Sequence, residues 1–363
     1  MKSVIFTVIN DITHDRRMHR ICSSLARHGW RVTLVGRLLP DSVPLHNYPF
    51  QTERLACFFR RGKLFYLEYN CRLFVKLLFT SADVFAAVDL DTIIPCFIVA
   101  ALKGKKKMLD AHEYFQEVPE VTGRPFTKKI WELVGRWFIP RADVAITVSE
   151  SLAEEFYRLY GKRFTVIRNV PLRDEAQEAA TSGGEGRFML YQGALNAGRG
   201  LEQLLLAMRH LDIPLKIAGE GDLSEQLRSQ AKALGVDTKV EFLGKVAPDK
   251  LRALTRQAWL GLNLLENNSL SYYYSLANKF FDYLSCGVPS LTMNFPEYRR
   301  INNRYMVSLL LNEPTPEGIV QAVRQLESNP ALYDKLQSNA LLASKEYHWE
   351  KEEQKLLAVM EQV

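Results

Sequence analysis

Short apolar runs alternate with longer segments of helical periodicity along this chain. The run SVIFTVIN reads as a buried strand; apolar positions then recur at helix spacing from about Asp15 to His28, Gly29 ends that segment, and RVTLVGR resumes the strand pattern. That is a β-α-β opening. Further strand-like runs follow at VFAAV, KKMLDA and VAITVS, with helix-length segments between them. A second series comprises FMLYQG, LKIAGEG, VEFLGKV, LGLNLL and VPSLTMN, separated by helices such as Leu201–Leu211 and Leu223–Leu234. Such alternation predicts parallel sheets covered on both faces, so the expected fold class is α/β with two doubly wound, Rossmann-like domains. The polar stretch DEAQEAATSGGEGR, near residues 171–187, reads as the linker between them. No short-period repeat accompanies this duplication of architecture.

Composition narrows the setting. With 363 residues, 47% of them hydrophobic, the chain can bury two sizeable cores. The opening MKSVIFTVIN lacks the length and cleavage pattern of a signal peptide, and the longest apolar run, TIIPCFIVAAL (Thr92 to Leu102), is too short to span a bilayer and holds Pro95. A soluble, cytoplasmic protein is therefore expected. Cys22, Cys57, Cys71, Cys96 and Cys286 are scattered and show no C-x-x-C spacing, which predicts reduced thiols rather than disulfides or a zinc site. Charge divides the chain: residues 1–170 carry 26 Lys/Arg against 17 Asp/Glu, residues 171–363 carry 21 against 24. A basic front half suits an anionic partner, or simply solvated helix faces. Nucleic acid is disfavoured as that partner, because no interleaved aromatic pattern or recognised motif accompanies the cations.

In an open parallel sheet, ligands sit where strands end and helices begin. Neither G-x-G-x-x-G nor a loop ending in Gly-Lys-Ser/Thr occurs at these exits, which sets aside a plain dehydrogenase or ATPase. The most informative stretch is YYYSLANKFFDYLSCGVPSL, residues 272–291. A helix beginning near Ala277 and Asn278 points backbone N–H groups and partial positive charge out of its first turn, which favours a phosphate. Asp282 lies one turn further along the same face, roughly 6 Å along the axis, about the reach from a diphosphate to the hydroxyls of its ribose. A carboxylate accepts two hydrogen bonds and so suits a vicinal diol. Lys279 or Arg199 can supply countercharge. Gly287 then stops the helix and Pro289 bars its continuation. The competing assignment makes Asn278 an N-cap and leaves Asp282 facing solvent.

Taken together, these stretches resemble a glycosyltransferase of the GT-B fold, in the large retaining group often called family 4, over nearly the whole chain. YQGALNAGRGLEQLLLAM is similar to the family's strand and loop followed by Lys-Gly and a helix; the loop opens at Gly193, and Arg199-Gly200 stands where the basic residue contacts the donor diphosphate. IAGEGD, with Gly219 and Gly221, is similar to the Ala-Gly-x-Gly turn, and FLGKV, with Lys245, to the segment whose backbone meets the nucleotide base. NKFFDYLSCGVPSL is similar to the most specific motif, whose acid binds ribose. This implies a donor site built from Ala277, Asn278, Lys279 and Asp282. In the front half, DLDTIIPCFIVAALKGKKKMLDAHEYF resembles the family's strand ending in Asp-x-His-Glu, and ITHDRRMHRICSSLARHGWRVTLV its first loop with Asp-x-Arg. The implied catalytic residues are His112, which would hydrogen-bond the donor sugar or stabilise developing charge, Glu113 in the same pocket, and Asp15, beside His14 and Arg16 in the first loop. Capping by Thr13 or Asp15 is the alternative there.

The resemblance implies two domains facing a cleft: residues 1–170 on the acceptor side, with a C-terminal helix at about 346–363 packing back on them, and residues 171–345 holding the donor. It implies transfer from a UDP- or GDP-sugar to a glycan or lipid-linked acceptor, with retention of configuration and no cofactor; no metal-ligand cluster is apparent in the sequence. The sequence departs from the family at Tyr274, where a second acid commonly precedes the ribose carboxylate by eight positions, and at Ala194, where an Arg commonly follows the loop glycine. Glu266, just after LNLL, is a candidate substitute for the missing acid. A degenerate nucleotide- or glycan-binding protein and a GT-B-fold nucleotide-sugar epimerase are the alternatives. Finally, FFRRGKLFYLEYNCRLFVKLLF, residues 58–79, mixes Phe and Leu with Arg and Lys. That composition fits peripheral contact with an anionic membrane on its inner face, or a buried helix beneath a basic rim.

Overall fold

The computed structural model describes residues 1–363 apart from 41, 46, 119–122 and 174–186. The expected linker stretch lies, but for Arg187, outside the described residues. Two compact units result: Met1–Asn169 together with Glu352–Val363, and Val170–Lys351.

In the first unit the strands are β1 (Ser3–Thr7), β2 (Arg31–Leu38), β3 (Gln51–Ala56), β4 (Val84–Val88), β5 (Lys106–Ala111), β6 (Val144–Thr147) and β7 (Thr165–Val166). They form one parallel sheet in the order β3-β2-β1-β4-β5-β6-β7. VFAAV is buried at every position as β4, which is what a strand covered on both faces requires. β3 was not anticipated. Its sequence, QTERLA, is polar and partly exposed along its length, as an edge strand tolerates, so it carries no apolar run to betray it.

The second unit holds β8 (Met189–Gln192), β9 (Leu215–Ala218), β10 (Val240–Gly244), β11 (Leu260–Asn263), β12 (Ser290–Met293) and β13 (Ser308–Leu311), again all parallel, in the order β10-β9-β8-β11-β12-β13. The growth of each sheet reverses beside its first strand, between β1 and β4 and between β8 and β11. Such reversals open a crevice at the strand exits, where ligands bind in this architecture.

The apolar run at residues 92–102 becomes the helix Ile93–Leu102, with Pro95 in its first turn, where the missing N–H costs nothing, and with Ile93, Cys96, Phe97, Val99 and Ala100 buried. Among the described residues no helix is long and apolar enough to cross a membrane. The basic–aromatic segment at 58–79 contains the helix Gly62–Leu78, which buries Phe65, Tyr69, Leu73 and Leu77 and leaves Leu64, Leu67 and Val75 exposed. The helix expected over residues 201–211 is α-helical only from Leu201 to Ala207 and closes in a 3-10 turn, Met208–His210. All five cysteines are free thiols.

Candidate functional site

In the second unit, backbone packing at the β8 and β9 exits depends on glycine. Gly193 has φ 129° and Gly219 φ 153°, and a Cβ on Gly219 would lie 1.8 Å from the Gly193 carbonyl oxygen. A Cβ on Gly221 would likewise meet Asn196 Oδ1 at 2.3 Å. The two loops therefore interlock: Leu223 N–H donates to Leu195 O at 2.8 Å, and Asp222 N–H to Asn196 Oδ1 at 3.2 Å. Gly200, at φ 68°, passes so close to Leu264 O that a side chain there would collide with backbone, and it caps the helix that follows. Glu266 braces this turn, its N–H donating to Gly198 O at 2.9 Å. Burial and the neighbouring Glu202 raise the Glu266 carboxyl above its ordinary range, against a hydrogen bond from the Gly200 N–H.

Arg199 projects from that turn. Its guanidinium lies 4.9 Å from the ring centroid of Tyr272, and its buried Nε has no hydrogen-bond partner among the described residues. Lys279, in the first turn of the helix Asn278–Ser285, places Nζ 3.6 Å over the Tyr191 ring, beside Gly193. Burial, with Arg199 adding to it and Asp282 opposing, holds the Lys279 ammonium well below the ordinary lysine range. The helix has Ala277 at its N-cap and no side-chain cap, so no carboxylate or hydroxyl covers its positive end from that position. Asn278 is exposed.

One turn on, Asp282 is half-buried and oriented by a relay. Its Oδ2 accepts from Gln192 Nε2 at 2.8 Å, and Gln192 Oε1 accepts from Thr255 Oγ1 at 2.8 Å. Gly287, at φ 67°, terminates the helix, with Gly287 N–H donating to Leu284 O and Val288 N–H to Tyr283 O. Lys245 stands exposed immediately after β10. Tyr274, at the position of the expected second acid, closes the short helix Leu270–Tyr273 and packs its ring 5.4 Å from Tyr273.

The first unit builds a different cluster at the β4 and β5 exits. Asp110, fully buried at the end of β5, receives Arg17 Nη2 at 2.8 Å and Arg17 Nε at 3.1 Å, while a third Arg17 nitrogen donates to Ile167 O. His112 Nε2 lies 2.9 Å from Asp110 Oδ2, and the His112 N–H donates to Asp89 Oδ1 at 2.7 Å. Burial disfavours the His112 imidazolium, but Asp110 and Asp89 outweigh it and raise the ring above its usual pKa. Burial likewise opposes the Asp110 carboxylate, yet Arg17 and His112 bring it down to about 2. Asp89 sits at φ 53°, a conformation a non-glycine residue rarely adopts, and one that concentrates at functional sites. Nearby, Asp91 is pushed up to about 8 by burial and then by the charges of Asp89 and Glu113, against a hydrogen bond from Tyr66. Glu113 is exposed. Asp15 is the N-cap of the helix Arg16–Arg27, accepting from Met18 N–H at 3.0 Å.

Residues 15–170 match the family model for glycosyltransferase family 4, and residues 173–342 the model for glycosyl transferases group 1. The chain is a group 1 glycosyltransferase of the GT-B fold. This glycosyltransferase is 29% identical over 185 residues to an alpha-1,4-N-acetyl-D-galactosaminyltransferase of Campylobacter jejuni whose name specifies a PP-undecaprenol-linked glycan, a match covering 49% of this chain and 48% of that one. The chain matches about half the length or less of its curated relatives. Two solved structures share its fold from end to end. Sucrose-phosphate synthase of Thermosynechococcus elongatus superposes with a TM-score of 0.81 at 16% identity, covering 100% of this chain and 99% of that one. HepE of Anabaena, in complex with UDP and glucose, gives 0.79 at 13% identity with 100% coverage of both.

Several residues of the two strand-exit clusters were not singled out from sequence. Arg17 is the arginine of the Asp-x-Arg spacing in the first loop, yet only its neighbours His14, Asp15 and Arg16 were named there. Gln192 is merely the last residue of β8, and Asp89 and Asp91 open the stretch DLDTIIPCFIVAALKGKKKMLDAHEYF, whose resemblance rests on its far end at Asp110–Glu113. Helical phase offered a second signal: Arg17 shares a face with Ile21, Ser24 and Leu25, all buried.

Proposed function

We propose that this protein transfers a sugar from a nucleoside diphosphate sugar, a UDP- or GDP-sugar, to a glycan or lipid-linked acceptor in cell-envelope or surface polysaccharide biosynthesis, with retention of anomeric configuration. The observation that carries the reading is the arrangement at the β8 exit. Lys279, Arg199 and an uncapped helix N-terminus converge on one place, with Asp282 held one turn away by Gln192. An anion between the two cations removes the electrostatic penalty that Lys279 carries alone, and a diphosphate does so while bringing its ribose hydroxyls to Asp282. Departure of the nucleoside diphosphate is the step that develops charge, so these cations act where stabilisation matters most. The protein supplies the countercharge itself, and the reading needs no metal.

In the first unit, which takes the acceptor side in this reading, His112 keeps Nε2 on Asp110, and its Nδ1 lies 3.9 Å from Asp89 Oδ2, too far for a hydrogen bond. Nδ1 is then the nitrogen that donates to a sugar hydroxyl. Arg17 and Asp110 fix the ring and its charge, and Glu113 lines the same exit. Asp15 acts through the helix it caps. The relative named for a PP-undecaprenol-linked glycan and the fold neighbour solved with UDP and glucose support the acceptor and donor classes.

A thermal-shift titration with UDP, GDP, ADP and CMP, comparing wild type with Asp282→Ala, tests the donor assignment. UDP or GDP is expected to stabilise the wild type by about 2.7 kcal/mol at a hundredfold excess over its dissociation constant, and the variant to lose most of that gain. Absence of any shift at millimolar nucleotide would favour a protein that has lost its donor site.

A further inference from the structure

The helix Pro125–Phe138 is inside out. A surface helix ordinarily turns its apolar stripe to the core, yet here Phe126, Ile130, Leu133 and Trp137, spaced i, i+4, i+7 and i+11 along one face, are exposed by 70, 45, 68 and 58%. Its inward contact is made by Gly135, where an added Cβ would lie 2.7 Å from Gln116 Nε2, and by Trp131, whose ring sits 4.9 Å from Phe115. Two neighbours repeat the pattern. The helix Ile93–Leu102, packed against it, exposes Ile94, Ile98 and Leu102, and the helix Gly62–Leu78, packed against that one, exposes Leu64, Leu67, Cys71, Val75 and Leu78 on a single stripe. The outer helices also meet directly: Tyr66 and Trp131 have ring centroids 6.1 Å apart, and Lys63 Nζ lies 5.8 Å from the Phe126 ring.

Charge identifies what covers this face. Residues 58–79 hold five Lys/Arg against one acid, Glu68, and residues 124–141 five against one, Glu132. A second copy of the chain docking through the same face would oppose cation to cation. An apolar stripe with aromatic residues and a basic rim instead matches the boundary between headgroups and acyl chains of a bilayer carrying anionic lipid. We propose that the three outward helix faces, led by Phe126, Ile130, Leu133 and Trp137, form a docking surface for an anionic lipid bilayer. The surface belongs wholly to the first unit and involves no residue of the donor site, so it stands or falls independently of the transferase reading.

The test is co-sedimentation with vesicles of phosphatidylcholine alone and of phosphatidylcholine with about one-third phosphatidylglycerol, without nucleotide. Wild type is expected to bind the anionic vesicles and to be released by high salt. Leu133→Glu with Trp137→Glu should weaken binding by about tenfold or more, and Lys129→Glu with Arg136→Glu by a similar factor, each with an unchanged melting temperature and UDP response. The charge-reversed variant leaves every apolar contact in place, so it tests the surface even if the first variant unfolds. No binding to anionic vesicles, undiminished binding by the folded variants, or a wild-type dimer that both variants convert to monomer would overturn the proposal.

Discussion

The two strand-exit clusters balance charge in opposite ways. At the β5 exit of the first unit the charges have found counterparts: Arg17 lies on Asp110, and His112 places its ring on Asp110 and its N–H on Asp89. In the second, burial and then the nearby Arg199 depress the Lys279 pKa against the pull of Asp282, whose Oδ2 is turned to Gln192. A closed cluster contributes rigidity and a defined protonation state. An open one holds electrostatic strain that an anionic ligand relieves, which is a common trade of stability for function.

The largest effect should come from opening the closed cluster. Asp110→Asn leaves the Arg17 guanidinium buried without its carboxylate and is expected to cost about 3–5 kcal/mol in denaturant unfolding. A smaller and opposite result is expected at the open cluster. Lys279→Met removes a buried ammonium, so stability should hold or rise by about 1 kcal/mol, while nucleotide affinity measured by calorimetry falls about tenfold to a hundredfold. Equal losses of stability at the two positions would erase the distinction.

The finest test is pH. Folded Asp91 titrates near 8 and unfolded Asp near 3.8, so between those values the native state holds a proton the unfolded chain has released, and stability falls on this account as pH rises through the window. Asp91→Asn should flatten that slope. Asp110 has the reverse sign: with a folded pKa of about 2 it contributes above about pH 4 and loses its contribution as pH drops toward 2. Melting temperatures from about pH 2 to about 9 for wild type, Asp91→Asn and Asp110→Asn check both.

Much of this was legible before any coordinates. VFAAV and KKMLDA are β4 and β5 residue for residue, and the helix at Asn278 begins and ends where its flanking residues say it should. These are places where local pattern and tertiary environment agree. Legibility failed where they part. The edge strand QTERLA needs no apolar face, and the helix Pro125–Phe138 has a fine amphipathic pattern whose direction the pattern cannot reveal. Periodicity shows that a helix has two faces. It does not say which one meets the core.

The sequence by itself determined the alternation of strands and helices, the duplication into two doubly wound units, and the motif helix carrying Lys279 and Asp282, because these rest on spacing and on glycine and proline chemistry. Only the tertiary structure decided that Arg17 pairs with the buried Asp110, that Gln192 orients Asp282, that Asp89 is strained beside His112, and that an apolar stripe faces outward. Each of those depends on which side chains from distant segments share a small buried volume, and burial and charge pairing are set by three-dimensional neighbours that no local window contains.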